Sequence, residues 1–106
     1  MSRFIRARDF NMDRLQLYFT KNKPENSVEK SLYDFCIDAY GNGREFDGYL
    51  LVHHVKEVDE SWKDRLNERN LISLNHHIHE YIHLLYLHHK EEVQQLLFKA
   101  IKADLP

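Results

Sequence analysis

The sequence Asn-Leu-Ile-Ser-Leu-Asn-His-His-Ile-His-Glu-Tyr-Ile-His occupies residues 70–83, and its hydrophobic pattern changes halfway along. Leu71–Leu74 is a short, mainly apolar run of the kind that forms a strand, and Asn70 introduces it. Over residues 75–103, apolar side chains recur at steps of three and four, and no Gly or Pro interrupts them. The stretch therefore predicts a short strand followed by one long helix.

The predicted helix is longer than a small core can cover. At 1.5 Å per residue it would extend about 40 Å. The apolar stripe of its second half therefore needs a further surface, either an N-terminal helix of the same chain or a second copy in a homodimer. His89 lies on this stripe, and we expect it to be a packed, hydrogen-bonded core histidine.

The upstream sequence predicts a helix and a strand. Apolar positions at spacings of three and four indicate a helix over about residues 25–40, and Gly-Asn-Gly at 41–43 is expected to end it. Tyr49–Val52 is an apolar run typical of a strand. The polar segment 59–67 is expected to be a loop or a short helix. Together these elements predict a small, mostly helical α+β domain.

The composition limits the class of protein. The chain has 106 residues, 42% hydrophobic and 30% charged, which suits one domain with a modest core. Its single Cys excludes an intramolecular disulfide framework and a Cys-built zinc finger. No apolar run is long enough to cross a membrane, and residues 1–30 lack the apolar region of a signal peptide. The expected location is therefore the cytoplasm.

Charge is unevenly distributed, although the formal net charge is only −2. Residues 1–24 carry six basic and two acidic side chains, so the remainder is acidic. We therefore predict a basic N-terminal arm, followed by one domain at residues 25–106. Arg3, Arg6 and Arg8 interleave with aromatic residues in this arm, which suits contact with nucleic-acid phosphates and bases. The alternative is a partly ordered terminus whose aromatic side chains dock on the core.

All eight histidines lie between residues 53 and 89. His79 and His83 are four residues apart on the predicted helix, so their imidazoles leave one face about one turn apart. That arrangement commonly presents two nitrogen ligands to one divalent ion. His53 and His54 follow the first strand and point to opposite faces, so one is available as a ligand and the other as a base. The alternative for such a pair is two surface histidines.

Three segments together resemble the motif segments of the HNH endonucleases, whose core is the ββα-metal fold. They are Val52–Val55, Asn70–Leu74 and the pair of His79 and His83. The second segment resembles phage-type members most closely, and the resemblance covers roughly residues 32–84. It implies a metal-dependent DNA endonuclease or nickase, located in a bacterial cytoplasm or encoded by a phage.

The resemblance also implies a role for each motif residue. His54 would be the general base that deprotonates water, and Asn70 would brace the loop between the strands. His53, His79 and His83 would hold one divalent ion, namely Mg, Mn, Zn or Ni. These roles suit phosphodiester hydrolysis, which needs a water, a base and a cation.

The implied partner is double-stranded DNA, and other phage DNA-processing proteins are further candidates. Lys56 and Arg69 lie close to the motifs in sequence, and either is a candidate contact to a phosphate. Both are equally plausible as ordinary surface cations.

The chain departs from phage-type members at their structural zinc. Those members carry two Cys-x-x-Cys pairs, which here read Cys36-x-x-Ala39 and Asn75-x-x-Ile78. No structural zinc is therefore expected, and apolar packing would substitute for it. Glu80 stands where such relatives commonly have Asn. These departures motivate an alternative function, a non-catalytic module that binds a protein partner through its long helix.

Residues His79–His83 also match the H-E-x-x-H signature of metalloproteases, with Glu80 as the base. His89 stands where a third zinc ligand would fall in the longer form of that signature. However, the Gly that this form requires is Tyr86 here. In an uninterrupted helix His89 would lie about 15 Å along the axis from His79, too far to share an ion.

Overall fold

The computed structural model describes residues 2–40 and 49–105, except for the side chains of 37–40. The fold is α+β, with four helices and two strands within these ranges. In chain order they are α1 (Ser2–Arg8), α2 (Arg14–Phe19), α3 (Ser27–Tyr40), β1 (Leu50–His54), β2 (Leu71–Asn75) and α4 (His76–Lys102). The residues expected to end the upstream helix, 41–43, lie outside the described part of the chain.

The two strands form an antiparallel pair, with His53 opposite Ile72 and His54 opposite Leu71. Both predicted strands are confirmed, and β1 extends through the two histidines that follow its apolar run. The β1–β2 loop (residues 55–70) contains two short 3₁₀ turns, so the prediction of a loop or short helix there is also confirmed.

The change from strand to helix occurs at Asn75. Its side chain accepts a hydrogen bond from the backbone N–H of His77 at 2.9 Å and so caps the start of α4. Because β2 passes into α4 without an intervening loop, the first turns of the helix are held against the sheet. Ile78 and Ile82 are fully buried on this side of α4.

The upstream helix begins at a reciprocal hydrogen-bonded cap formed by Asn26 and Glu29. Asn26 accepts a hydrogen bond from the backbone N–H of Glu29, whose carboxylate in turn accepts from the side-chain amide of Asn26. The predicted helix is thereby confirmed, with its start two residues later than expected. Leu32 and Cys36 are buried on its inner face, so Cys36 packs as an apolar residue of the core.

The N-terminal helices of the same chain cover the second half of α4. Its fully buried side chains are Val93, Leu96, Leu97 and Ala100. They share one hydrophobic core with Leu15 of α2 and Leu32 of α3. Helices of the same chain therefore cover the apolar stripe of α4, which is the first of the two alternatives given above.

The prediction that His89 is a core histidine is wrong. Its backbone angles (φ −133°, ψ 31°) are not helical, and they mark a kink within α4. Its side chain is 49% exposed, and Nδ1 lies 3.8 Å from a carboxylate oxygen of Glu92. Because the kink interrupts the helical repeat at this position, the buried stripe continues from Tyr86 to Val93 without it.

The N-terminal segment (residues 2–24) packs against the edge of β2 that faces away from β1. Asp9 accepts a hydrogen bond from the N–H of Ser73 at 2.9 Å, and Asp13 accepts one from the N–H of Asn75 at 2.7 Å. In the part of the chain that the structure describes, these amides are on the edge of β2 that has no neighbouring strand. Arg14 donates to the backbone carbonyls at the end of α4, including that of Ala100. The segment is therefore integrated into the fold.

The aromatic residues of this segment divide into two groups. Tyr18 and Phe19 are buried in the core, whereas Phe4 and Phe10 are more than half exposed.

No helix in the described ranges combines the length and hydropathy needed to cross a bilayer.

Candidate metal centre

Three histidines from two separate parts of the chain meet beside the sheet. His53 projects from β1, and His79 and His83 project from the first turns of α4. Each offers one ring nitrogen, and these nitrogens all lie within 4.8 Å of one another. We call these three residues the histidine cluster. Nε2 of His79 lies 2.9 Å from Nε2 of His83, as the four-residue spacing on one helix face leads us to expect.

The alternation of side chains along β1 separates His53 from His54. His53 is buried and its ring contacts those of His79 and His83, with centroid distances of 5.1 and 5.6 Å. His54 is half-buried, and its Nε2 lies 2.9 Å from the carbonyl oxygen of Arg65 in the β1–β2 loop. Adjacent residues thus contribute to different parts of one site.

The histidine cluster fits a divalent metal ion by its donor set. Two nitrogens bound at about 2.1 Å to a tetrahedral ion lie about 3.4 Å apart, so the His79–His83 pair needs to open only slightly from its 2.9 Å contact. Imidazole nitrogen is a ligand that suits zinc, nickel, copper and iron, whereas magnesium prefers oxygen. Three nitrogen ligands also leave coordination positions for other groups.

Burial keeps His53 in the form that binds metals. Removal from water, together with the neighbouring His79 and His83, lowers the pKa of His53 to about 3. Its imidazole is therefore neutral at physiological pH. Burial and the adjacent His83 also lower the pKa of His79. The protein thus offers neutral ring nitrogens before any ion binds.

Tyr86 orients His53 and was missed by the sequence interpretation. Its hydroxyl donates to the carbonyl of Val55 at 2.9 Å and lies 3.1 Å from Nε2 of His53. Since the hydroxyl proton is used on Val55, Nε2 of His53 is the donor to the Tyr86 oxygen, and the lone pair is on Nδ1. Tyr86 follows His83 by three residues on the same helix, so its spacing was a usable signal.

Asn70 braces the β1–β2 loop. It is buried, its side-chain oxygen accepts from the N–H of Lys56 at 2.8 Å, and its amide donates to the carbonyls of Lys56 and Asp64 at 3.0 and 3.3 Å. Arg65, whose carbonyl contacts His54, follows Asp64 directly. The three bonds of Asn70 therefore hold the part of the loop that orients His54.

The histidine cluster and His54 line one cavity of about 230 Å³. Its lining residues are Val52, His53, His54, Glu57, Val58, His79 and His83. The sequence interpretation did not include Glu57, whose carboxylate lies 3.9 Å from Nζ of Lys90. The cavity therefore contains the histidine cluster, the candidate base and one carboxylate.

The three arginines that are candidate DNA contacts have different structural environments. Arg8 donates to the carbonyls of Glu68 and Leu71 at 2.7 Å and pairs with Asp9 at 2.8 Å, so its side chain holds α1 against the loop. Arg3 is exposed and Arg6 is half-buried. Sequence reasoning did not foresee the structural use of Arg8, because the two carbonyls that it contacts are about sixty residues away.

The metalloprotease arrangement is only partly present. Glu80 is exposed on α4, and the third nitrogen of the histidine cluster comes from His53, upstream of the H-E-x-x-H segment. Among the residues that the structure describes, His89 is outside the cluster, and its Nδ1 lies 3.8 Å from a carboxylate oxygen of Glu92. His89 therefore does not supply the third ligand of that signature.

Comparisons of this chain with protein-family models, with curated proteins and with solved structures each found no match.

Proposed function

We propose that this chain is a metal-dependent endonuclease or nickase of HNH type that hydrolyses phosphodiester bonds in DNA. The observation that carries the proposal is the shared cavity, in which the histidine cluster lies beside His54. The order of strand, loop, strand and helix around that cavity agrees with a ββα-metal core.

The histidine cluster would hold one divalent ion. When bound, such an ion neutralises charge on a phosphate and on the leaving oxygen. His53, His79 and His83 are the ligands, and Tyr86 fixes the orientation of His53 through its 3.1 Å contact. The nitrogen donors favour zinc or nickel over magnesium.

His54 acts as the base. Its Nε2–H donates to the carbonyl of Arg65, so Nδ1 carries the lone pair that accepts a proton from water. Histidine is the residue most often used as a general base. Asn70 keeps the Arg65 carbonyl in place by bridging the two sides of the β1–β2 loop.

A plasmid-nicking assay tests this function. Wild-type protein is incubated with supercoiled DNA and zinc, nickel, manganese or magnesium ions, beside His54→Ala and Glu80→Ala. We expect nicking by wild type and by Glu80→Ala, and a loss of at least a hundred-fold in His54→Ala, since a positioned general base contributes about 10²–10⁴-fold. Peptidase activity that disappears in Glu80→Ala would contradict the proposal and favour the metalloprotease.

One observation favours a second function, a non-catalytic module that binds a protein through α4. Leu84 and Leu87 are 64% and 72% exposed, and their three-residue spacing places them on one face of the helix. The absence of nicking with every metal, combined with metal binding at the histidine cluster, would support this second function.

A further inference from the structure

A second cavity lies between the β1–β2 loop and the end of α4. It has a volume of about 350 Å³. Its lining residues are Lys56, Asp64, Asn67, Arg69, Asn70, Phe98 and Lys102. We call it the cationic groove. The histidine cluster contributes none of these residues, so the groove is separate from the candidate metal centre.

Three exposed cations line the cationic groove. Lys56, Arg69 and Lys102 are exposed, and among the side chains that the structure describes (residues 2–36 and 49–105) no carboxylate is within 4.0 Å of their charged groups. By contrast, Lys90 and Lys99 on the same helix both pair with glutamates. Cations that are not neutralised by the protein remain available to an anion.

The single acid of the groove is already hydrogen-bonded. The carboxylate of Asp64 accepts from the hydroxyl of Ser61 at 2.6 Å and from the amide of Asn67 at 3.3 Å. These two bonds, the first above all, hold the pKa of Asp64 below its usual value. The lining therefore carries a positive balance, with three cations against one carboxylate that neighbouring groups already satisfy.

The chemistry of the groove suits a phosphate. Arginine and lysine are the usual protein contacts to phosphate oxygens, and the partly buried ring of Phe98 adds an apolar wall for a sugar or base. The neighbouring cavity that also includes Lys56 and Phe98 contains Glu60 and Glu91, so its charges are mixed and it does not select an anion.

The groove and the candidate base are fixed to one loop. Asn70 lines the groove and holds the carbonyl of Asp64, and the next residue, Arg65, accepts the hydrogen bond from His54. We infer that the cationic groove binds a backbone phosphate of the DNA strand at a position away from the bond that is cut. This inference rests on the proposed function and adds Lys102 and Phe98 to its substrate contacts.

The test measures DNA binding without metal, so it is independent of cleavage. A short fluorescein-labelled duplex is titrated in EDTA with wild type, Arg69→Ala and Lys102→Ala, and dissociation constants are measured over a range of NaCl concentrations by anisotropy. We expect each variant to bind several-fold more weakly, with the slope of log K against log salt reduced by about 1 per lost phosphate contact. Lys30→Ala is the matched control, because Lys30 pairs with Asp34 on the exposed face of α3.

The outcomes separate the groove from the nuclease. Equal affinity of all four proteins, or absence of wild-type binding in EDTA, overturns the groove assignment even when nicking is observed. Weaker binding by the groove variants without any nicking supports the groove and refutes the nuclease. Phosphorus NMR line broadening tests inorganic phosphate alone, and phosphate binding at the groove without duplex binding overturns the assignment to the DNA backbone.

Discussion

The hydroxyl of Tyr86 connects His53 to the start of the β1–β2 loop. It lies 3.1 Å from Nε2 of His53 and donates to the carbonyl of Val55 at 2.9 Å. The same carbonyl also accepts from the side chain of Gln94 at 3.0 Å. A residue from the helix thus determines which nitrogen of a strand histidine carries the lone pair.

Replacement of Tyr86 by Phe tests this positioning. The variant removes the hydroxyl and leaves the ring in the core, so we expect zinc affinity to fall about ten-fold or more, as for other partners of ligating histidines. The loss of folding stability should be about 1–3 kcal/mol, because Nε2–H of buried His53 loses its acceptor while the Val55 carbonyl keeps its bond to Gln94. Isothermal titration with zinc and urea unfolding measure the two effects. Tyr81→Phe is the control, since Tyr81 stacks on Phe35, and equal loss in both variants would contradict the role of Tyr86.

Zinc or nickel should stabilise the folded chain through the histidine cluster. At a hundred times its dissociation constant, a ligand of the folded state contributes about 2.7 kcal/mol, which raises the Tm of a domain of this size by about 10 °C. His79→Ala should abolish this increase, and excess chelator should reverse it in wild type. His88 is an exposed histidine on the same helix, and His88→Ala should retain the increase in Tm. An undiminished increase in His79→Ala would place the metal elsewhere.

Asn70→Asp should loosen the β1–β2 loop. The new side chain still accepts from the N–H of Lys56 but no longer donates to the carbonyls of Lys56 and Asp64. Because buried acceptors then face a carboxylate, we expect a loss of about 2–3 kcal/mol in stability and faster amide exchange in the loop. Urea unfolding and hydrogen exchange measure these changes. Asn11→Asp, an exposed position in the N-terminal segment, is the control, and identical exchange in the loop of Asn70→Asp and wild type would contradict the bracing role.

The contribution of Asp13 to stability should depend on pH. Burial raises the pKa of this carboxyl from 3.8 to about 7, against the lowering effect of its bonds from the N–H groups of Asn75 and Gln16. The folded state therefore binds a proton that the unfolded state has released, and stability falls as pH rises from about 4 to about 7. Compared with Asp13→Asn, wild type should gain stability as pH decreases through this window.

Urea unfolding of both proteins between pH 4 and pH 8 measures that difference. The comparison removes the contributions of the other acids, which titrate in both proteins. Asp34→Asn on the exposed face of α3 should show no such trend relative to wild type. A difference between wild type and Asp13→Asn that stays constant, or that grows as pH rises, would contradict the effect of burial on Asp13.

The sequence by itself determined the local features of this protein. The helical repeat places His79 and His83 on one face wherever the helix lies, and the alternation of a strand separates His53 from His54. The capping side chain of Asn75 marks the change from β2 to α4. These features depend on residues within a turn or two of one another, so spacing was sufficient to predict the placement of the histidines, although the cap at Asn75 was not predicted.

Only the tertiary structure decided which distant groups meet. His53 joins the histidine cluster because β1 pairs with β2 in one register and α4 packs back on the sheet. Asp9 and Asp13 accept hydrogen bonds from two amides on the edge of β2 that no described strand covers, and a buried N–H without an acceptor is costly. The kink at His89 likewise displaces a side chain from the stripe that its spacing predicted. Such contacts depend on the packing of the whole chain, which no local pattern encodes.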